Sequence, residues 1–340
     1  MPHATQILAD LGADVLKVEP PGGDPMRVYP ELFASVARGK RSVEIDLKAP
    51  DGLARARALV ADCDVFCEGW RPGVADRLGL GATTLRVEHP ALIYCSISGY
   101  GQVGPWRDVP GHDLAHQALA GALVRLGDTP DMAPSVPRLP VADLEAGSVA
   151  AIAICAAWAR RLVAGEGERI DIAMADAVAW WVGPRSPVMV AGTADAPGAS
   201  PGYGVFVTAD GRWLAIAPLA ETGLWDAICS ADDLDDLVGL SFAARHSRTG
   251  EVNARIATAI AVLDFDDALA RLRAAGAPVA PVLTPEAAVV HEQAIVRDRL
   301  ADASGTAVAR FPAVLSHHPV QRDAPVPAVG AHDGFAPRAS

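Results

Sequence analysis

The segment Leu92-Ile93-Tyr94-Cys95-Ser96-Ile97 predicts a buried β-strand, because it is a short run of mostly apolar and β-branched residues. Helical and strand patterns alternate before it. Thr5–Leu11 and Gly52–Ala61 have helical patterns, whereas Ala13–Val18 and Val65–Glu68 have strand patterns. Strands that alternate with helices need crossover connections and form a mostly parallel sheet. We therefore expect an α/β fold whose large domain contains a doubly wound, mostly parallel sheet.

A second, smaller domain is indicated by a change in composition. Residues 191–204 are rich in Gly, Pro, Ala and Ser, which is typical of a linker. After it, Val205–Thr208 and Arg212–Ala217 flank the turn Ala209-Asp210-Gly211, a pattern that predicts a β-hairpin. Helical runs follow. We expect a large domain over residues 1–190 and a small α+β domain over residues 205–285.

Length and charge restrict the classes of function. The chain has 340 residues and a mass of 35.2 kDa, more than the roughly 250–300 residues at which single cores stop growing, which also favours two domains. Its net charge is -12 and its pI is about 5.1. Nucleic acid and anionic membranes attract positive proteins, so neither is expected as a partner. A polyanionic ligand would need a local cluster of basic side chains.

Cysteine usage and hydropathy indicate a cytoplasmic protein. The five cysteines are an odd number and none has the spacing of a metal site, so we expect reduced thiols and no metal. The first residues lack the basic and apolar regions of a secretory signal. The most apolar stretch, Val149–Ala159, is shorter than the roughly 20 residues that span a membrane, and we expect it to be a buried helix.

Two segments contain candidate catalytic residues. Asp143 directly precedes the apolar helical run Leu144–Ala159, and Gly111-His112-Asp113 lies about thirty residues earlier, before another helical run. Each aspartate is in a position typical of a helix N-cap, which would stabilise its helix by about 1 kcal/mol. A histidine and a carboxylate at the starts of two helices are also a pattern that fits proton transfer.

A glycine-rich motif in the middle of the chain matches a known fingerprint but lacks the structural context that the fingerprint requires. Gly99-Tyr100-Gly101-Gln102-Val103-Gly104 follows a predicted strand and matches the dinucleotide fingerprint. That fingerprint requires a helix to begin at the third glycine, whereas Pro105–Pro110 predicts a loop. A nicotinamide-dependent oxidoreductase is therefore disfavoured.

The chain resembles the family III coenzyme A transferases, a group that also contains the α-methylacyl-CoA racemases. The resemblance extends from about Ala4 to about His332. It implies an interlocked homodimer and a C-terminal segment, residues 286–340, that returns to the large domain. The motifs that carry it are Ala4–Pro20, Arg38–Ser42, Asp46–Lys48, Glu68–Val74, Arg77–Gly81 and Ser96–Pro105.

The resemblance also implies a site for coenzyme A, which would enter as part of an acyl thioester substrate and not as a resident cofactor. Its phosphates need basic donors gathered in one place. Several basic residues of the first eighty fit this role, although a solvated basic surface would have the same composition. The expected CoA contacts are Arg38, Ile45, Asp46, Leu47, Lys48, Gly69, Trp70, Arg71, Arg77, Gly111 and Asp113.

Two activities are implied by this family, and they use Asp143 differently. In the transferases the matching aspartate attacks the acyl thioester and forms a mixed anhydride. In the racemases it is an acid/base group paired with a histidine across the α-carbon. His112 favours the racemases, which carry Gly-His-Asp here, and Glu221 resembles a racemase glutamate from the small domain. We therefore expect an epimerase of 2-methylacyl-CoA thioesters, with a CoA transferase as the alternative and a binding protein without turnover as a third hypothesis.

Four departures from the racemase pattern bear on this expectation. Leu139 stands where the racemases have asparagine, Pro20 replaces a basic residue, and His116 replaces tyrosine. Family members also begin with a strand before the helix that starts near Ala4, so we expect the sheet of this chain to lack that first strand. The proton-transfer groups themselves are unchanged.

Overall fold

The chain divides into two compact units. The computed structural model describes residues 1–123, 136–183, 200–321 and 323–335. Unit 1 consists of Met1–Ser186 and Val296–Ser340, and unit 2 consists of Pro187–Ile295. Most of the predicted linker, residues 191–199, lies outside the described residues.

Unit 1 contains the predicted parallel strands. Strands β1 (Leu16–Glu19) and β2 (Arg41–Glu44) form a parallel pair. Strands β3 (Val65–Glu68), β4 (Ile93–Ser98) and β5 (Arg169–Ala173) form a second parallel sheet in that order. The mixed α/β class is confirmed, and the parallel strands are distributed over two small sheets. Every residue of β4 is buried, as its apolar and β-branched composition predicts.

Helices connect and cover these strands. Three of them begin with proline, whose fixed φ and missing N–H suit the first helical turn. The helices of unit 1, apart from its C-terminal segment, are α1 (Pro2–Asp10), α2 (Pro30–Ala37), α3 (Pro50–Ala61), α4 (Val74–Arg77), α5 (Ala82–Glu88), α6 (Asp113–Leu119), α7 (Val141–Ala164) and α8 (Met174–Val182).

Helix α7 is the central helix of unit 1 and is longer than the sequence pattern predicts. It continues past Arg160 and Arg161 because both side chains lie on its solvent side. By length and composition alone its 24 residues would suffice to cross a membrane, a criterion that core helices of soluble proteins also meet. One face packs on α1, α8, β4 and β5, which accounts for its apolar residues. The other face is solvent-exposed, so the prediction of a buried helix holds for one face only.

Small side chains allow this close packing. Ala146 and Ala150 of α7 are fully buried against Ala4 of α1 and against Ile93 and Ile97 of β4. Because α7 begins beside the carboxyl end of β4, this packing fixes where Asp143, in its first turn, lies relative to the sheet.

Unit 2 is a separate α+β unit. Strands β6 (Gly204–Val207) and β7 (Trp213–Ile216) form the predicted antiparallel hairpin, and β8 (Val279–Pro281) extends it. Trp225, Leu214 and Ile256 contribute to its core. The helices are α9 (Thr222–Ala231), α10 (Phe242–His246), α11 (Thr249–Ala261), α12 (Phe265–Ala274), α13 (Pro285–Val289) and α14 (Glu292–Val296), the last reaching unit 1.

The C-terminal segment of unit 1 adds a small antiparallel hairpin. Strands β9 (Leu300–Ala303) and β10 (Thr306–Ala309) pair with each other. Ala301, Ala303 and Val308 pack against Ala34 of α2, which joins this segment to the N-terminal half of the unit.

Unit 2 contains a buried carboxylate without a hydrogen-bond partner among the described residues. Asp232 follows the last turn of α9, is 7% exposed, and neither of its carboxylate oxygens accepts a hydrogen bond from that part of the chain. Burial raises the pKa of Asp232 to about 6, although Arg271 opposes the shift. The folded state therefore holds this proton more tightly than the unfolded state does.

We expect Asp232→Asn to stabilise the protein at pH 7.5 but not at pH 4. Because the pKa is raised, the wild type loses stability as pH rises from about 3.8, the ordinary value, through about 6, and this loss is complete above that window. An unsatisfied buried polar group costs about 1–3 kcal/mol, so urea denaturation should show a gain of that order at pH 7.5. The exposed neighbour is the matched control: Asp233→Asn should change little at either pH. A gain that is equal at both pH values would contradict the assignment.

Candidate active site

A cleft of about 270 Å³ opens at the carboxyl ends of β3 and β4. This is the edge at which parallel sheets bind ligands, because the strand ends and the following loops diverge there. The segment after β3, the segment after β4 and the starts of α6 and α7 all contribute. The residues that line it include Gly69, Trp70, Arg71, Gly99, Tyr100, Arg107, Gly111, His112, His116 and Asp143.

Asp143 lies in the first turn of α7 and lines the cleft. The sequence placed it before the helix as a cap, but the helix begins two residues earlier, at Val141. Partial burial among protein atoms raises the pKa of the Asp143 carboxyl, and the negative charge of Asp113 raises it further. His116 and His112 oppose that rise. The carboxyl group is therefore easier to protonate than an ordinary aspartate.

Asp113 connects the two helices that carry the candidate residues. One carboxylate oxygen accepts hydrogen bonds from the backbone N–H groups of Ala142 (2.7 Å) and Asp143 (3.2 Å). The other accepts from the side-chain amide of Gln117 at 2.5 Å. Asp113 thus caps α7 and not its own helix α6. Asp113 therefore holds Asp143 in position. Its expected contact with CoA stays a prediction.

His112 is the N-cap residue of α6 and is solvent-exposed where it lines the cleft. Asp143 lines the same cleft, so the structure brings the two predicted groups together. Gly111 precedes it in the same lining.

His116 lies one turn further along α6 and is 2% exposed. A Cβ atom at Gly99 would lie 2.5 Å from its Cε1 atom, and one at Gly111 would lie 2.8 Å from the same atom. Any larger residue at either position would displace the ring. Tyr100 contacts it edge-on, with 4.8 Å between ring centroids. Sequence comparison marked His116 only as a departure; its position in the cleft is a result of the tertiary structure.

The basic residues of the first eighty, among which the CoA-binding cluster was expected, differ in their contacts. Three of them, Arg38, Lys40 and Arg41, make contacts within the fold. Arg38 is 2% exposed and pairs with Asp10, Lys40 is buried and donates to the Thr5 hydroxyl at 2.7 Å, and Arg41 pairs with Asp14.

Burial also lowers the pKa of Lys40 to about 7. Arg38 would have to break a buried ion pair to reach a phosphate. Its placement therefore argues against the predicted contact with CoA.

Three arginines, Arg71, Arg77 and Arg107, converge beside the cleft. Arg71 lines it, and Arg77 and Arg107 approach each other across Gly73: a Cβ there would lie 3.5 Å from an Nη atom of Arg77 and 3.3 Å from one of Arg107. Within the described residues neither Arg71 nor Arg77 forms an ion pair, and Arg107 has only a 3.6 Å contact with Asp108. Arg107 was not predicted, because it lies in a loop without a recognisable motif.

The other predicted contacts lie at two strand ends. Gly69 and Trp70 line the cleft directly after β3. Ile45 and Leu47 follow β2 and pack in the core, and an Asp46 carboxylate oxygen accepts a hydrogen bond from the backbone N–H of Lys48 at 2.9 Å. The Lys48 side chain is exposed, but neither it nor its three neighbours line this cleft.

Glu221 belongs to unit 2. It is the N-cap residue of α9, and its carboxylate accepts a hydrogen bond from the backbone N–H of Leu219 at 3.1 Å. The role of Glu221 in the active site stays a prediction.

Comparison with known proteins shows to which family the chain belongs. The family model described as CoA-transferase family III matches residues 1–333. A succinate–glutarate CoA-transferase from Agrobacterium fabrum is 33% identical, with 97% of this chain and 90% of that protein covered. The human α-methylacyl-CoA racemase is 34% identical, with 64% and 57% covered.

A solved structure extends the agreement to the fold. The crystal structure of a CAIB/BAIF family protein from Brucella suis superposes with a TM-score of 0.85 at 28% identity, covering 98% of this chain and 93% of that one. The chain is an enzyme of the CoA-transferase family III.

Proposed function

We propose that this enzyme transfers coenzyme A between carboxylic acids, with Asp143 as the group that accepts the acyl moiety. The observation that carries the proposal is the Asp143 carboxylate, held in a cleft at the sheet edge with Arg71, Arg77 and Arg107 beside it. The succinate–glutarate CoA-transferase supports the same activity, since the similarity covers 97% of this chain. Short dicarboxylic acids are therefore the first substrates to test.

The proposed reaction consists of two exchanges at one carboxylate. An Asp143 oxygen attacks the thioester carbonyl carbon, a C–O bond forms, and the C–S bond breaks with its electron pair on the CoA thiolate. The thiolate then attacks the Asp143 carbonyl of the anhydride, which releases the first carboxylate and leaves CoA as a thioester on Asp143. An acceptor carboxylate repeats both steps in reverse. Charge balances throughout, and the protein need supply no proton.

The surroundings of Asp143 suit a carboxylate nucleophile. Its place in the first turn of α7 exposes it to the positive end of the helix dipole, which favours the ionised form. Burial and Asp113 act in the opposite direction and raise its pKa, so the ionised group is more basic than an ordinary aspartate. A more basic carboxylate is the better nucleophile once it is ionised.

The arginines beside the cleft provide the charge that an acidic protein needs to hold CoA. Arg77 and Arg107 converge from α4 and from the loop before α6, and Arg71 lies at the cleft itself. Guanidinium groups bind phosphate oxygens through paired hydrogen bonds. We propose that these three side chains bind the phosphates of the nucleotide portion.

Racemisation of 2-methylacyl-CoA thioesters is the second candidate. It is favoured by one observation, that His112 lines the same cleft as Asp143, as a two-base mechanism needs. The human racemase supports it over 64% of the chain. Gly111-His112-Asp113 alone favours racemisation over transfer. We place transfer first because the similarity to the transferase covers nearly the whole chain.

We propose that the working enzyme is a homodimer, as the family resemblance implies. Large apolar side chains on the outer surfaces of α7 and α8 support this: Ile152 is 65% exposed, Leu162 72%, Trp180 67% and Trp181 55%. Such a patch is typical of a surface that a partner covers.

We expect sedimentation equilibrium to give twice the chain mass of 35.2 kDa. Trp180→Arg should shift the enzyme toward the single-chain mass, because a charge in an apolar interface loses its hydration without gaining a partner. Val87→Arg is the matched control, since Val87 is an exposed apolar residue on the separate helix α5. A wild type of single-chain mass at micromolar concentration would contradict the dimer.

We expect Arg77→Ala and Arg107→Ala each to weaken CoA binding by roughly tenfold to a hundredfold, since a hydrogen bond to a charged group contributes about 1.5–3 kcal/mol. Calorimetric titration with CoA and with a pantetheine ester, which lacks the nucleotide, would measure this. The pantetheine ester should bind all variants alike. Arg160→Ala, on the exposed side of α7, is the control. Equal losses for both ligands would refute the phosphate assignment.

We expect a covalent derivative of Asp143 to accumulate during turnover with succinyl-CoA and a panel of carboxylic acids that includes glutarate. Hydroxylamine should convert the activated carboxyl to a hydroxamate, and mass spectrometry should locate it in the peptide containing Asp143. Asp143→Asn should abolish both trapping and transfer, and initial rates should follow ping-pong kinetics.

The same enzyme in deuterated water separates the alternatives. Deuterium at the α-carbon of a 2-methylacyl-CoA, with no acceptor acid and no trapped peptide, would refute transfer and support racemisation. His112→Ala should then abolish the exchange, whereas it should leave CoA transfer largely intact. Binding of CoA esters with neither exchange nor transfer would indicate a binding protein.

A further inference from the structure

His116 is a second imidazole at the cleft, apart from the His112 that the sequence indicates. It lies on α6 one turn after His112 and lines the cleft together with Asp143. Whereas His112 is exposed, the side chain of His116 is almost completely buried. A side chain in this position would contact a bound substrate from the buried side of the cleft.

The position of the ring is fixed on several sides. Gly99, at the end of β4, and Gly111, before α6, leave the space that the ring fills, and Tyr100 packs against it edge-on. A ring held by backbone on two sides loses little further freedom when a substrate binds.

The imidazole has no hydrogen-bond partner. Its Nδ1 atom is closed off from solvent and unpaired, and in the described part of the chain no hydrogen bond reaches Nε2 either. An unpaired buried polar group costs about 1–3 kcal/mol, and folded proteins pair nearly all of them. Since Nδ1 is closed off from solvent, we assign the donor role to Nε2.

The charge state of the ring suits a hydrogen-bond donor beside a nucleophile. Burial lowers the pKa of His116, although Asp143 and Asp113 oppose the shift and His112 adds to it. A neutral imidazole keeps one N–H to donate. An imidazolium, by contrast, would pair with the Asp143 carboxylate and weaken it as a nucleophile.

We propose that the His116 imidazole N–H donates a hydrogen bond to the carbonyl oxygen of the acyl thioester as Asp143 attacks it. The inference rests on the proposed CoA transfer. When the Asp143 oxygen bonds to the carbonyl carbon, the electron pair of the C=O π bond moves to oxygen, and the N–H stabilises the resulting oxyanion without giving up its proton. The pair then re-forms C=O as the C–S bond breaks toward the thiolate.

A matched pair of variants tests the donor. His116→Gln keeps an N–H near the position of Nε2, and His116→Met has a similar length and volume but no donor. Loss of one oxyanion donor lowers kcat by about 10²–10³-fold. We expect His116→Met to lose at least a hundredfold in kcat for succinyl-CoA and its acceptor, with KM for the CoA ester within about threefold of wild type, and His116→Gln to recover most of the rate.

Hydroxylamine trapping separates the possible failures. If wild-type enzyme yields no Asp143 derivative, the transferase function fails and this inference fails with it. If wild type is trapped and His116→Met is trapped equally fast, only the role of His116 is refuted. Equal losses in both variants would indicate a packing role, and matched melting temperatures for the two variants would show that the comparison is between folded enzymes.

Discussion

The hydrogen bonds from the start of α7 to the Asp113 carboxylate are the constraint on which the site depends. They join α6 to α7 through the N–H groups of Ala142 and Asp143. Because α6 carries His112 and His116 and α7 carries Asp143, this one carboxylate sets the spacing of all three groups. Packing of α7 on α1 and β4 through buried alanines then fixes the assembly on the sheet.

Burial divides the polar groups of unit 1 by role. Arg38 and Lys40 are enclosed and make contacts within the fold, which argues against a role for their charges in a ligand site. Arg77 and Arg107 stay accessible beside the cleft. His116 is enclosed, and its Nδ1 atom has no hydrogen-bond partner among the described residues. Asp232 is also buried without such a partner, but only His116 of these two lines the cleft.

The cleft is compatible with two chemistries because the same carboxylate serves both. Transfer needs one accessible nucleophile, and racemisation needs a second base on the opposite face of the α-carbon. His112 provides a second base in the same cleft, but transfer does not exclude such a residue, so its presence does not decide between them. The observation that separates the two reactions is covalent modification of Asp143 during turnover.

The sequence by itself determined the α/β class, the β4 strand, the hairpin of unit 2, and the pairing of Asp143 with Gly111-His112-Asp113, because hydrophobic period, turn residues and motif order are local properties. It did not determine which side chains are enclosed. Arg38 and Arg77 are the same residue type, yet the first is paired with Asp10 in the core and the second lies exposed beside the cleft. Arg107, the cap that Asp113 places on α7 and the pocket around His116 arise from contacts between distant segments, which only the tertiary structure decided.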